Sequence, residues 1–312
     1  LNLLPLVFSF IPTLSFTIFL FALMYFGSLF TFRLVYKLLY DSYNLYETNF
    51  ILKISSLLAT TFYVLNVQNL VNSTFTDISS GTYIYVLLPI VVYGVRQFFL
   101  SNKLSDTAFW LFITVPILII LYYLSLPIYI FVLSIALTFI IGYYGFEAAR
   151  RKKYIRILFV VILFTLFMII HFKTIISTYN SIISSPGFLN GSYLFWVNNA
   201  KMAPLTETLR GLILVIQLPL YASILTLGIP IIYLLSLIIK KRKKIHSEML
   251  LYIILLLVIS FLYSMPNVPF SAFFTSLFFK FPILSALRTQ YVIVGPFESL
   301  FLSITIGLGS FF

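Results

Sequence analysis

The sequence predicts an all-α fold, a polytopic bundle of transmembrane helices that forms one integral-membrane domain over residues 1–312. Three observations support this prediction. The mean hydropathy is +1.08, with 61% hydrophobic and 9% charged residues, which lies outside the range of soluble domains. Apolar stretches such as 126–146 are long enough to cross a hydrocarbon core about 30 Å thick. Two basic clusters, 150–153 and 240–244, interrupt these stretches.

Hydropathy predicts nine spans, each close to the roughly 20 residues that a bilayer requires. The spans cover residues 10–32, 50–72, 82–100, 108–124, 126–146, 155–172, 211–239, 249–265 and 292–312. Spans four and five are joined by Ser125-Leu126-Pro127, so we expect them to form a tight hairpin. The chain begins with Leu1 and its last residues, 299–312, are still apolar. We therefore expect it to be a fragment of a longer chain.

The basic residues predict the orientation of the spans. By the positive-inside rule, the loops 147–156 and 240–248 both lie in the cytoplasm. When the other spans are assigned alternating directions across the membrane, starting from these two loops, fifteen of the 20 Lys and Arg residues lie inside. The five outside are Lys173, Lys201, Arg210, Lys280 and Arg288. This split predicts a multi-pass protein of the cell membrane whose cytoplasmic cations meet anionic lipid headgroups.

Two predicted external segments, 174–210 and 265–291, are too long to be simple connectors. Aromatic residues in the second segment recur at spacings of three and four, which predicts an amphipathic helix near 268–281 in the plane of the membrane interface. Because long loops commonly carry function while regular elements support them, we expect the functional site on the outer face.

Composition excludes several kinds of chemistry. The absence of cysteine excludes disulfides, thiolate metal sites and a cysteine nucleophile. The two histidines, His171 and His246, fall at opposite predicted ends of spans, so no metal or haem site is expected. No phosphate-binding glycine loop is present, and no cofactor is predicted. The net charge of +12 lies mainly in short loops beside spans, so we expect a lipid bilayer rather than nucleic acid as the partner.

Asp77 and Glu207 are the acids of the predicted external loops. A general base acting on the outer face would come from these two residues or from sequence beyond this chain. The alternative is that each is an isolated surface acid, since neither has an acidic neighbour in sequence. The acids of the predicted cytoplasmic loops are interpreted as solvated or ion-paired: Asp41, Glu47, Asp106, Glu147 and Glu248.

Glu298 lies inside the last predicted span. An ionisable group there costs about 2.5–3.5 kcal/mol on insertion scales, so it should face protein or a watery cavity. Two interpretations remain open, a proton or substrate site and a buried ion pair. Arg288 is a candidate partner, but ten residues of helix would separate the two by about 15 Å unless Gly295-Pro296 breaks the helix.

Arg288 is predicted at the outer mouth of the last span, beside Thr289 and Gln290. A guanidinium donates two parallel hydrogen bonds, which suits a phosphate group. The alternative is a simple anchor for a lipid headgroup.

The segment from Met265 to Gly309 resembles the GT-C-type multi-spanning glycosyltransferases and their archaeal and bacterial relatives. In that family an external proline-rich segment leads into a late span, and Pro282, Arg288 and Tyr291 match the pattern here. The cysteine-free composition rich in Ile, Tyr and Phe is also similar to membrane proteins of thermoacidophilic archaea. The resemblance implies an enzyme that uses a polyprenyl-phosphate-linked sugar at the outer face, with Arg288 binding the donor phosphate.

The family's catalytic acids lie in its first external loop, and no matching acidic motif surrounds Asp77. The resemblance therefore also allows a non-catalytic relative. Two other functions remain open. A secondary transporter is favoured by Glu298 and by the prolines Pro219, Pro230 and Pro296 within spans. An accessory subunit of a membrane complex is favoured by the lack of converging polar residues in the sequence.

Overall fold

The structure, a computed structural model, describes residues 13–43, 49–65, 80–124, 127–183, 247–264 and 290–311. Within these ranges every residue is helical except in the turns 101–103 and 151–153, and no strand occurs among them. The prediction of an all-α fold is confirmed for this part of the chain.

The described residues form eight helices, each of which overlaps one predicted span. They are α1 Thr13–Tyr43, α2 Asn49–Leu65, α3 Ser80–Leu100, α4 Leu104–Leu124, α5 Pro127–Arg150, α6 Tyr154–Ile183, α7 Ser247–Ser264 and α8 Gln290–Phe311. Two stretches, Leu104–Tyr122 and Tyr154–Lys173, are long and apolar enough to cross a membrane by length and composition. The predicted span 211–239 and the predicted interfacial helix 268–281 lie outside the described residues.

Two helices continue beyond the apolar segments that predicted them. α1 runs past residue 32 to Tyr43, because Leu34, Val35, Leu38 and Leu39 form one buried face there. α6 runs to Ile183, so residues 174–183 of the predicted external loop are helical. Hydropathy predicts only the part of a helix that hydrocarbon can cover. The helix itself can continue toward the next helix-breaking residue, and the first proline after Lys173 is Pro186.

α3 is the central helix of the described bundle. It contacts α1, α4, α5 and α8, while α8 in turn contacts α1, α2, α5 and α7. Side chains around the whole circumference of α3 are buried: Ile84, Val86, Leu88, Val91, Val92, Val95, Phe98 and Phe99. A helix that is apolar on every side is stable at the centre of a bundle, where other helices cover all of its faces.

Small residues bring these helices close together. A Cβ atom added to Gly307 of α8 would lie 2.8 Å from Ala59 Cβ of α2 and 2.8 Å from Val35 Cγ1 of α1. Gly94 of α3 faces Thr114 of α4 in the same way, since an added Cβ would collide with the Thr114 hydroxyl. Close helix packing at small residues is typical of helices in membranes, where dispersion contacts replace the hydrophobic effect between helices.

The outer helices expose extensive apolar surface. α6 packs mainly against α5 and leaves most of its length uncovered. Its exposed apolar side chains include Ile155, Leu158, Val161, Ile162, Phe164, Leu166, Ile169, Ile170 and Phe172. α2 and α4 expose further large apolar residues, including Phe50, Leu57, Phe109 and Phe112. Apolar side chains therefore form both the interior and much of the exterior of the described bundle.

Candidate functional site

Arg96 is the centre of the most polar region in the described interior. It lies in the last turns of α3, and 1% of its surface is exposed. A buried guanidinium is stable only when its charge is paired and its N–H groups are hydrogen-bonded. Helices α1, α5 and α7 supply the groups that meet these needs.

Glu248 of α7 forms the closest ion pair with Arg96. Arg96 Nε donates to Glu248 Oε1 at 2.7 Å, and Arg96 Nη2 donates to Oε2 at 3.2 Å. Two parallel bonds of this kind combine charge attraction with a fixed geometry. Glu248 lies in the first turn of α7, where the helix dipole favours a negative charge, and it is buried.

Asp41 of α1 provides the second carboxylate. Arg96 Nη2 donates to Asp41 Oδ2 at 2.8 Å, and Lys37 Nζ lies 3.0 Å from Asp41 Oδ1, one helical turn away. The Asp41 side chain is 35% exposed, in contrast to Arg96. Asp41 therefore connects the buried guanidinium with the surface of the bundle.

Two tyrosines extend the hydrogen bonding into the core. The Tyr144 hydroxyl of α5 donates to Glu248 Oε1 at 2.5 Å, and the Tyr144 and Tyr252 hydroxyl oxygens are 2.9 Å apart. Both tyrosines are fully buried. We call Lys37, Asp41, Arg96, Tyr144, Glu248 and Tyr252 the ionic cluster.

The ionic cluster joins four helices that are distant in sequence. Its two cations and two carboxylates cancel in formal charge, so the group can be buried at lower cost than an unpaired ion. Its hydrogen bonds form a continuous path from half-exposed Asp41 through Arg96 and Glu248 to Tyr252. The arrangement can hold helices in register, and its carboxylates and hydroxyls can accept or pass protons.

The basic turn between α5 and α6 caps the end of α3. Lys153 Nζ donates to the carbonyl oxygens of Leu100 at 3.0 Å and Ser101 at 2.7 Å. Arg156 Nη1 donates to the carbonyl oxygens of Phe98 and Phe99 at 2.8 and 2.7 Å. These are carbonyls that a helix end leaves without partners, and the cations also complement the negative end of the helix dipole.

The backbone of this turn follows a known helix-ending geometry. Lys152 has a positive φ of 59°, and the N–H groups of Lys152 and Lys153 donate to the carbonyls of Ala149 and Ala148 at 2.9 and 2.8 Å. This pair of bonds is the Schellman arrangement, which reverses the chain directly after a helix. The reversal brings Lys153 against α3. Burial there, followed by the charges of Arg156 and Arg151, lowers the pKa of Lys153 from its usual value.

The described residues include only one of the candidate site residues predicted from sequence, Glu298. Asp77, Glu207 and Arg288 lie outside the described residues. Glu298 lies within α8, between the buried residues Phe297 and Leu300.

The acids predicted in cytoplasmic loops have different environments. Asp41 is ion-paired, and Glu147 pairs with Arg150 at 3.0 Å, as expected. Glu248 is also ion-paired, as expected, but its predicted position in a loop was wrong, because it is buried in the first turn of α7. Its charge is tolerated there because Arg96 and Tyr144 donate hydrogen bonds to it.

The sequence contained one signal for the ionic cluster. Arg96 falls inside the predicted span 82–100, and an ionisable residue within an apolar segment indicates a buried partner, as it does for Glu298. The partners themselves had no sequence signal, because Asp41 and Glu248 are 55 and 152 residues away.

His171, the histidine among the described residues, does not contribute to the ionic cluster. His171 Nδ1 of α6 lies 3.3 Å from the Tyr122 hydroxyl of α4, and its ring packs against Phe167. Within the described ranges, no group of three or more His, Asp or Glu residues is arranged to hold a metal ion.

Comparison of this chain with protein-family models, with curated proteins and with solved structures finds no match.

Proposed function

We propose that the chain is an integral protein of the cell membrane, a single domain of about nine transmembrane helices. The supporting observation is the apolar exterior of α6. Its Tyr154–Lys173 segment is 20 residues long, which corresponds to about 30 Å of helix. Ile155, Ile169 and Ile170 on it are each about seven-tenths exposed. Soluble monomers rarely expose continuous apolar surface on this scale, whereas hydrocarbon chains of lipid would cover it.

The proposed orientation places the loops 147–156 and 240–248 in the cytoplasm. The ionic cluster supports this threading, because it connects the carboxyl ends of α1, α3 and α5 with the amino end of α7. The positive-inside rule, applied to the predicted spans, assigns all four of these helix ends to the cytoplasmic side. The basic turn Arg151–Lys153 belongs to the same group of helix ends, since it contacts the end of α3.

Single-cysteine labelling tests this orientation without background, because the chain has no cysteine of its own. In intact cells, a membrane-impermeant maleimide is expected to label Asn190→Cys and to leave Lys152→Cys unlabelled until the membrane is permeabilised. The reverse result would overturn the orientation. Extraction of the protein by alkaline carbonate would overturn membrane insertion itself.

For the activity, we propose a GT-C-like glycosyltransferase, or a non-catalytic relative, that binds polyprenyl-phosphate-linked sugars at the outer face. The proposal rests on the match of Pro282, Arg288 and Tyr291 to that family's pattern. It also rests on chemistry, since a guanidinium at the predicted outer mouth of the last span can donate paired hydrogen bonds to a phosphate. The partners are then the bilayer, the lipid-linked donor and any further subunits of a membrane complex.

Native mass spectrometry of the full chain in mild detergent tests this activity. Wild-type protein is expected to retain a polyprenyl-phosphate or sugar-lipid mass, and Arg288→Ala to lose it, because the alanine variant has no donor for the phosphate. Arg288→Lys should retain part of the bound lipid, since lysine keeps the positive charge but cannot donate the two parallel hydrogen bonds of a guanidinium. Retention of the mass in Arg288→Ala would remove the phosphate role.

A secondary transporter is the second candidate, and the ionic cluster is the observation that favours it. Charged residues buried within membrane segments commonly mark ion or proton pathways, and this cluster leads from half-exposed Asp41 to buried Glu248 and Tyr144. Glu298 in α8 would provide a second ionisable group of the pathway.

Proton flux into proteoliposomes distinguishes this candidate from the transferase. With an imposed membrane potential and an internal pH dye, a proton-coupled transporter is expected to lose flux in Asp41→Asn and Glu298→Gln, because neither amide can carry the proton. Glu147→Gln is the matched control, since Glu147 is an ion-paired acid outside the cluster. Equal flux in all four proteins would exclude Asp41 and Glu298 from the proton pathway of a transporter.

A further inference from the structure

Two turns of the described bundle lie side by side. The turn 101–103 joins α3 to α4, and the turn 151–153 joins α5 to α6. Lys153 Nζ donates to the carbonyl oxygen of Ser101 and to Asn102 Oδ1, at 2.7 and 3.1 Å. These bonds hold the cations of both turns in one region of the surface.

The basic residues of this region divide into two groups with different surroundings. Lys153 and Arg156 are directed toward backbone carbonyls of α3 and stabilise that helix end. Arg151, Lys152 and Lys103 are exposed, and no described carboxylate lies within ion-pair distance of any of them. Among the described residues, therefore, no carboxylate competes with an external anion for the second group.

The surroundings of the exposed cations indicate the kind of anion. Large apolar side chains on both helices next to the turn are exposed: Phe146 63%, Tyr154 62%, Ile155 74% and Leu158 59%. Positive charge thus borders directly on apolar surface. A nucleic acid or an acidic protein would match the charge, but an anionic phospholipid would cover both surfaces, with its headgroup at the cations and its acyl chains along the helices.

Arg150 forms the edge of this arrangement. Its guanidinium pairs with Glu147 at 3.0 Å and lies over the Phe146 ring, 5.9 Å from the ring centre. These contacts orient the Arg150 side chain along α5, whereas Arg151 and Lys152 extend from the turn itself. The crowding of positive charge around Lys153, which contributes to its lowered pKa, also favours an anion at this position.

We propose that Lys103, Arg151 and Lys152 form a binding site for the anionic headgroup of a phospholipid whose acyl chains lie against α5 and α6. This inference rests on the proposed insertion of the chain into a membrane. It adds a defined lipid site, whereas positive-inside threading concerns orientation alone.

Lipid competition measured by native mass spectrometry tests the site. The full chain in mild detergent is exposed to equal amounts of phosphatidylglycerol and phosphatidylcholine with identical acyl chains, and the ratio of bound lipids is measured. Wild type is expected to prefer phosphatidylglycerol. Arg151→Gln with Lys152→Gln should reduce that preference about fivefold for each cation removed, as expected for charges near a lipid surface.

The matched control is Arg33→Gln with Lys53→Gln. Both residues are exposed and predicted to be cytoplasmic, so this variant loses the same net charge away from the turn. Its lipid ratio is expected to stay within about twofold of wild type, because neither residue belongs to the proposed headgroup site and the roughly fivefold effect per cation requires a charge at the headgroup. An equal decrease in both variants would show general attraction and overturn the defined site, as would no decrease in either.

Two further measurements distinguish a lipid site from a soluble phosphate site, and loss of the lipid site from loss of membrane insertion. Soluble glycerol phosphate should not displace phosphatidylglycerol, because it lacks acyl chains, and displacement would identify a soluble phosphate site instead. Alkaline carbonate extraction is applied to every variant. A protein that stays in the membrane without headgroup preference would overturn the lipid site alone, and a protein released by carbonate would overturn the proposed membrane insertion.

Discussion

Replacement of Arg96 by methionine is expected to destabilise the protein more than any other single change in the ionic cluster. Glu248 would remain buried without its cation, and removal of one partner from a buried ion pair costs about 3–5 kcal/mol. The total stability of most domains is about 5–15 kcal/mol, so this single change should remove a large fraction of it. The measurement is the unfolding free energy of purified full chain in mixed detergent micelles.

Two further variants distinguish ion pairing from simple loss of packing. Arg96→Met combined with Glu248→Leu should recover much of the stability, because replacing both charges with apolar groups of similar size is often neutral. Asp41→Asn should cost about 1 kcal/mol or less, since the Asp41 side chain is 35% exposed and solvent screens its ion pair. If the double variant were as unstable as the sum of the two single variants, the charge pairing would not explain the effect.

Gly307→Val is expected to be the next most damaging change, by about 1–3 kcal/mol. Even the first added carbon would lie 2.8 Å from Ala59 Cβ and 3.2 Å from the carbonyl oxygen of Ser55. Neither neighbour can move aside by rotating a side chain, so α8 must shift away from α2. The loss is measured as a decrease in the unfolding free energy and in the temperature at which the detergent-solubilised protein stays monodisperse.

Gly142→Ala is the matched control for this prediction. Gly142 also lies in the middle of a helix, but an added Cβ there has nothing within 4 Å. Alanine at such a position should stabilise α5 by about 0.5–1 kcal/mol, because glycine loses more backbone entropy on folding. If both substitutions destabilised the protein equally, close packing at Gly307 would not be the cause.

The positions of the helices were largely predictable from the sequence, because apolar length alone identifies segments of this kind. Their ends were less predictable. Leu34, Val35 and Leu38 extend α1 through an amphipathic stretch that hydropathy counts as the end of a span. Periodicity, rather than mean hydropathy, carried the information about such extensions.

The candidate site was mostly not predictable. A charge inside a predicted span indicated that Arg96 needed a partner, but eight acids were available and sequence separation gave no preference among them. Glu248 is selected by the packing of α7 beside α5, which brings it next to Tyr144. Long-range packing of this type depends on shape complementarity between helices, and no short motif encodes it. The basic turn was predicted to set topology, whereas its second role at the carbonyls of α3 follows from one backbone reversal.

The residues of the ionic cluster are also synthesised at different times, because they are far apart in sequence. Arg96 belongs to the third described helix and Glu248 to the seventh, 152 residues later. Ribosomes add about 5–20 residues per second, so Glu248 is synthesised roughly 8–30 s after Arg96. During that interval Asp41 is the one carboxylate of the ionic cluster already made that can pair with Arg96. The central helix of the finished bundle is thus among the last to reach its final surroundings.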